Sequence, residues 1–145
     1  MPEPSITHPW IKTALTHGPV KLQALPYTPD CGAQTFFLGR TRAETHPDHG
    51  PLIRLDYEVY EPMAKQLLRT LAQTLAAEFQ LAAVRLVHAV GPVPLGGASV
   101  AIEIAAPHRG AAFDACRAGI DRVKEQLPVW KNEVWKNGQT FAPGW

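Results

Sequence analysis

Cysteine is scarce in this chain: Cys31 and Cys116 stand far apart and belong to no CxxC pair. That excludes a redox dithiol and a cysteine-built zinc site, and leaves two free thiols as the plain reading. Long apolar runs are also missing, and nothing approaches the roughly 20 residues a membrane span requires. Nor is one sign of charge in excess. Fourteen basic residues face 13 acidic ones, a net charge of +1, which provides no global field of the kind nucleic-acid binders carry. Nucleic acid and membrane are therefore not expected partners, and any recognition of an anion must be local. No internal repeat, phosphate-binding glycine loop or serine nucleophile elbow is present. The opening, Met1 to Trp10, has Pro2, Pro4 and Pro9 but neither a basic cluster nor an apolar stretch, so it does not read as a secretion signal and a cytoplasmic location is expected.

What is present is enough apolar sequence for one core. A chain of 145 residues, 46% hydrophobic and 19% charged, is expected to fold as a single domain over 1–145 and to bury roughly 70% of its unfolded surface. Its 14 prolines and 11 glycines cut it into short elements. Ile11 to Leu15 reads as a short strand, and Pro26, Pro29 and Gly32 exclude a long helix beyond Gly18-Pro19. Gln34 to Arg42 reads as a strand and Ala43 to Pro51 as a polar loop. Ile53, Leu55, Tyr57 and Val59 alternate with polar residues, the pattern of a half-buried strand. Pro62 opens a helix whose expected core stripe is Met63, Leu67, Leu68, Leu71, Leu75 and Phe79. Val84, Leu86, His88 and Val90 form another alternating strand ended by Gly91-Pro92, and Ala98 to Ala106 is its expected antiparallel partner. Arg109 to Gln126 is a second helix with Phe113, Cys116, Ile120, Val123 and Leu127 inward, stopped by Pro128. The fold class is therefore α+β, with a mostly antiparallel sheet and two main helices.

Three places concentrate polar chemistry. Pro107-His108-Arg109 sits where a strand hands over to a helix, whose free amides and dipole attract a phosphate that Arg109 can grip with two bonds. The plain alternative is a capping histidine and a solvated arginine. Arg40 and Arg42 end an apolar strand and suit a dianion, or else simply face water. Lys124 and Lys131 flank the helix break at Leu127-Pro128, so Lys131 can return toward Lys124 on another element. With Trp130 and Trp135 as an aromatic wall, a desolvated lysine there can work as base, nucleophile or proton donor. The alternative is two surface lysines, one paired with Asp121 or Glu125. His46, Asp48 and His49 have the chemistry of metal ligands but sit in a Pro-Gly loop without coordinating spacing, so no metal is expected. His88 reads as a satisfied, half-buried side chain.

Taken in order, these segments resemble the molybdopterin synthase catalytic (large) subunit family. The resemblance covers roughly Ile11 to Trp135 and rests on Gly32-Ala33, Phe37-Leu38-Gly39-Arg40-Thr41-Arg42 and Leu55-Asp56-Tyr57-Glu58-Val59-Tyr60-Glu61-Pro62-Met63-Ala64. It continues through Val87-His88-Ala89-Val90-Gly91, Ala106-Pro107-His108-Arg109 with Ala112-Phe113, Ile120-Asp121-Arg122-Val123-Lys124, and Pro128-Val129-Trp130-Lys131-Asn132-Glu133. It implies an α/β hammerhead-type fold and a sulfurtransferase that makes the dithiolene molybdopterin from cyclic pyranopterin monophosphate. The partner it implies is a small ubiquitin-like sulfur carrier with a C-terminal Gly-Gly thiocarboxylate, docked on a homodimeric core to give a heterotetramer. By the same resemblance Lys124 and Lys131 are catalytic. Phe37, Arg40, Thr41, Arg42, His108, Arg109, Asn132 and Glu133 join them in binding substrate, and no cofactor is implied. The chain departs from the family in a short, proline-rich Lys21 to Cys31 segment, a short tail after Trp135, and Asn132 where a basic residue is frequent. The alternative function is a non-catalytic domain that binds an anionic metabolite.

Overall fold

The computed structural model describes residues 8–143, so most of the proline-rich opening lies outside the described residues. In chain order the elements are β1 (Trp10–His17), β2 (Ala33–Arg40), β3 (Thr45–His46), β4 (Gly50–Val59), α1 (Glu61–Phe79), β5 (Ala83–Pro94), β6 (Ala98–Ala106), α2 (Arg109–Gln126), β7 (Val129–Trp135) and β8 (Gly138–Pro143). The sheet order is β2-β6-β5-β4-β7-β8, with β1 paired to β5 and β3 to β4. Every pairing is antiparallel except β1 with β5, which run parallel.

β5 organises the molecule. Its first part lies between β1 and β6, and its last four residues, Gly91 to Pro94, pair with Tyr57 to Arg54 of β4. The strand does not end at Gly91-Pro92, as its sequence suggests. Gly91 takes φ 81°, a left-handed conformation that glycine adopts without Cβ strain, and the chain continues to Pro94.

The alternation in β5 also understates its burial, since every residue from Ala83 to Ala89 is buried. One face carries Leu86 and, on β6, Ile102, which meets the helices: a Cβ on Gly119 of α2 would lie 3.1 Å from Ile102 Cγ2 and 3.3 Å from Leu75 Cδ1 of α1. The other face is crossed by the irregular segment after β1. There the buried Arg85–Glu103 ion pair is capped, Arg85 Nη1 donating to Lys21 O (2.9 Å) and Gln23 N to Glu103 Oε1 (3.0 Å). Backbone groups meet part of the pair's remaining bonding capacity, which offsets the cost of burying it, although Arg85 Nε has no hydrogen-bond partner among the described residues.

Helix faces and strand registers shift in places from the sequence expectation. In α1 the buried stripe is Ala64, Leu68, Leu71, Ala72, Leu75 and Ala76, whereas Met63 is 50% exposed. In α2 the alanines Ala112 and Ala115 take the inward places and Phe113 is 62% exposed. Alanines share the inward face with leucines in α1 and with Gly119, Ile120 and Val123 in α2, and Met63 and Phe113 fall outside it. In β4 a register irregularity against β7 between Leu52 and Arg54 turns Leu52 inward and leaves Ile53 outside. The segment Ala43 to Pro51 holds β3 and the start of β4 rather than loop alone. Among the described residues no helix is long and apolar enough to cross a membrane.

Candidate functional site

A pocket of about 390 Å³ opens where β2, β4, α2 and β7 converge. Lys124 reaches it from the last turn of α2. The helix then stops because Pro128 cannot continue it, with Leu127 extended at φ −73°, ψ 127°. The chain returns as β7, antiparallel to β4, with Lys131 opposite Tyr57 and Glu133 opposite Leu55. Cross-strand partners share a face, so Lys131, Glu133, Leu55 and Tyr57 all line the pocket. Two lysines seven residues apart thus meet through a change of element.

The opposite wall is the end of β2. Phe37, Arg40, Thr41 and Arg42 all line it, pinned to the β5–β6 turn by Thr41 N to Gly97 O (2.9 Å) and Gly96 N to Thr41 O (2.8 Å). Arg40 Nε donates to Gly96 O at 2.9 Å. Thr41 is buried, and its hydroxyl has no hydrogen-bond partner within the described chain. Arg42 pairs with Glu44 at 3.0 Å, but with side chains 86% and 41% exposed the bond is weak and leaves the guanidinium available. Arg40, Arg42, Lys124 and Lys131 against Glu44 and Glu133 leave the pocket cationic, which suits a dianion.

Its floor was not legible as such in the sequence. Tyr57 is buried there; desolvation raises its phenol above the ordinary value, a hydrogen bond with the Ser99 side chain opposes that, and the charge of Glu133 adds to it. The phenol is therefore neutral at physiological pH. The period-two pattern of β4 places Tyr57 inward, yet alternation alone does not separate a core position from a pocket floor. Glu133 is held from behind, accepting from Thr140 Oγ1 at 3.1 Å.

Not all the expected site residues meet here. Asn132 alternates to the other face of β7 and donates from Nδ2 to Gln139 Oε1 at 3.1 Å. Trp130 also lies on that face, beside Glu58 and Phe141. Trp135 is buried with its ring 5.2 Å from His46. The aromatic wall of the lysine pocket is thus Phe37 and Tyr57, and Lys124 is exposed in the single chain rather than desolvated.

His108 and Arg109 line a separate cleft of about 360 Å³ with Gly32, Ala33 and Pro107. His108 occupies the N-cap of α2 in extended conformation (φ −133°, ψ 156°), without a capping hydrogen bond from its side chain, and the first turn of α2 has no acidic residue. The two clefts flank opposite ends of β2, about 20 Å apart at the rise of a β-strand.

His46 Nδ1 accepts from the amides of Asp48 (3.0 Å) and His49 (3.2 Å), and the two imidazoles stack at 4.5 Å. That nitrogen serves the loop. Among the described residues no group of three His, Cys, Asp or Glu side chains is placed to hold a metal ion. His88 is fully buried rather than half-buried. Its Nδ1 lies 2.8 Å from Ala89 O and its ring meets Tyr57 edge-on at 5.2 Å. Burial pushes its pKa down to about 4, the Ala89 bond opposing.

Sheet, helices and pocket together define an α+β protein with a cationic cleft where α2 gives way to β7. Residues 15–126 match the family described as MoaE protein. The molybdopterin synthase catalytic subunit of Bacillus subtilis (strain 168) is 36% identical over 112 residues, covering 77% of this chain and 70% of that protein. Among solved structures, molybdopterin synthase from Staphylococcus aureus superposes with a TM-score of 0.80 at 27% identity, covering 88% of this chain and 94% of that one. A complex of subunits 1 and 2 of molybdopterin-converting factor from Helicobacter pylori 26695 shares the fold, with a TM-score of 0.71 at 18% identity over 91% of this chain and 90% of that one. This chain belongs to the MoaE family.

Proposed function

We propose that this chain is the catalytic subunit of a molybdopterin synthase, a cytoplasmic sulfurtransferase folded as one domain. It takes sulfur from the thiocarboxylated C-terminus of a small carrier subunit and places it on cyclic pyranopterin monophosphate to form the dithiolene. The observation that carries this is the meeting of Lys124 and Lys131 in one cationic pocket, in a chain that matches the MoaE family over most of its length. Lys124 and Lys131 are the catalytic residues in this reading. Their ammonium groups can hold the thiocarboxylate, donate the protons that carbon–sulfur bond formation requires, and stabilise the carboxylate the carrier becomes, and a lysine that has given up its proton can take one back as the neutral amine. Phe37, Arg40, Thr41, Arg42 and Glu133 bind substrate around them.

His108 and Arg109 bind the substrate's phosphate at the start of α2, and in one chain they lie too far from the lysines to share a ligand. A homodimer answers this. Among the described residues β2 is an edge strand paired with β6 alone, with Phe36 61% and Phe37 37% exposed, the kind of edge that invites pairing. Two such edges paired antiparallel about a twofold axis would set the His108 end of one copy beside the lysine end of the other. A carrier on each copy then gives a heterotetramer. Asn132, on the other face of β7, stands outside this pocket.

The test is to combine the chain with thiocarboxylated carrier and cyclic pyranopterin monophosphate. A dithiolene product is expected. Substrate binding without product would return the chain to a non-catalytic binder of an anionic metabolite.

A further inference from the structure

The last strand reaches the pocket without lining it. On the β7–β8 ladder Glu133 stands directly opposite Thr140, and Trp135 opposite Gly138. Trp135 Nε1 donates to Thr140 Oγ1 at 2.8 Å, and Thr140 Oγ1 donates to Glu133 Oε1 at 3.1 Å. The direction of this chain is fixed by its chemistry. An indole N–H can only donate, so the Thr140 oxygen is used as acceptor on that side and its single proton is left for the carboxylate. The indole end is anchored, since Trp135 is 6% exposed. Successive donors polarise one another, and a bond ending on a carboxylate is the stronger kind.

We propose that Thr140 is a positioning residue for Glu133: the relay from Trp135 through Thr140 holds one carboxylate oxygen and leaves the other presented to the pocket, where it accepts from an N–H of the bound pterin. The other ionised groups of the pocket wall are the cations Arg40, Arg42, Lys124 and Lys131, and Glu44, which is engaged with Arg42. Cations address the phosphate and thiocarboxylate. A ring N–H donor needs an acceptor, and Glu133 is the carboxylate seated beside Lys131 to supply it. Left unheld, the carboxylate would swing toward the neighbouring lysine or arginine and be lost as an acceptor. Thr140 acts through Glu133 and does not itself contact substrate.

This inference rests on the proposed function, and the experiment separates the two. Thr140→Val, which keeps shape and removes the hydroxyl, is compared with Thr140→Ser in the complete enzyme with carrier. The valine variant is expected to raise the KM for cyclic pyranopterin monophosphate about tenfold, as for loss of one hydrogen bond to a charged group. Competitive inhibition by inorganic phosphate, which has no N–H to offer, should stay unchanged, and Thr140→Ser should restore the KM. In a Glu133→Gln background Thr140→Val should add almost nothing, since residues acting through one another are not additive. An unchanged KM, an equal loss of phosphate inhibition, or full additivity with Glu133→Gln would each overturn the proposal. The indole N–H of Trp135, followed by proton exchange without any ligand, should exchange faster in Thr140→Val; an unchanged rate would also overturn it. If the wild type forms no product, the proposed function fails, and the indole measurement still decides whether the relay exists.

Discussion

The two halves of the sheet are built to opposite specifications. β5 and β6, backed by α1 and α2, bury every residue from Ala83 to Ala89 and from Ala98 to Ala106, with Gly119 letting helix and strand approach to van der Waals limits. Among the described residues the helices pack chiefly on β1, β2, β5 and β6 rather than on β4, β7 and β8. These last three strands hold their shape by cross-strand pairing and side-chain relays, and they leave a cavity of about 390 Å³ beside α2. The closed half sets stability and fixes the base of Lys124; the open half presents charge. A substitution should therefore read out in activity or in stability according to the half it touches.

The largest effect is expected at the lysines. Lys124→Ala and Lys131→Ala should each lower product formation by about 10²- to 10⁴-fold, the range proton-transferring groups contribute, with melting temperatures near that of the wild type because neither side chain is in the core. Rate and melting temperature should be measured on the same preparations. Near-normal turnover removes that lysine from the mechanism, and a collapsed melting temperature makes it structural.

His88 sharpens the comparison from the closed side. Its pKa is about 4 in the fold against an ordinary value near 6.5, so the unfolded chain binds the proton more tightly. Stability from this group is complete above pH 6.5 and is lost as pH falls toward 4, on the order of 3 kcal/mol in all. Denaturation followed from pH 7.5 to pH 4 should show that loss, and His88→Gln should flatten it by a comparable amount. Parallel curves for the two proteins would contradict the assignment.

A smaller effect, about tenfold, is expected from Arg109→Ala on the apparent affinity for the pterin phosphate, with carrier affinity little changed. Calorimetric titration of each ligand checks it. Unchanged substrate binding with lost carrier binding would mean that the cleft at the start of α2 belongs to the carrier.

Much of this division was legible in the sequence. The second helix, Arg109 to Gln126, was delimited by a strand before it and Pro128 after it, and the long strands announced themselves by alternation. What failed to show depends on neighbours distant in sequence. Met63 and Phe113 fit a helical stripe, but alanines pack closer to a sheet and take the inward places. Ile53 fits the alternation of β4, yet a register irregularity against β7 turns it out. β7 carries tryptophan, lysine and asparagine, and β8 glycine, glutamine and threonine, in no apolar rhythm, because these strands have little cover on one face. The pairing of Lys124 with Lys131 could be inferred from the proline break. Tyr57, Ser99 and Thr140 could not, since nothing local distinguishes a floor or a relay from a core.

The central claim is that this pocket receives sulfur from a protein carrier and builds a dithiolene. Its most direct measurement is the stoichiometry of a reconstituted reaction, counting carrier thiocarboxylate consumed against dithiolene formed while the carrier is limiting. The account predicts two carriers spent for each dithiolene, and no product with a carrier ending in an ordinary carboxylate. Product formed with the carboxylate carrier, or thiocarboxylate hydrolysed without any dithiolene, would contradict it.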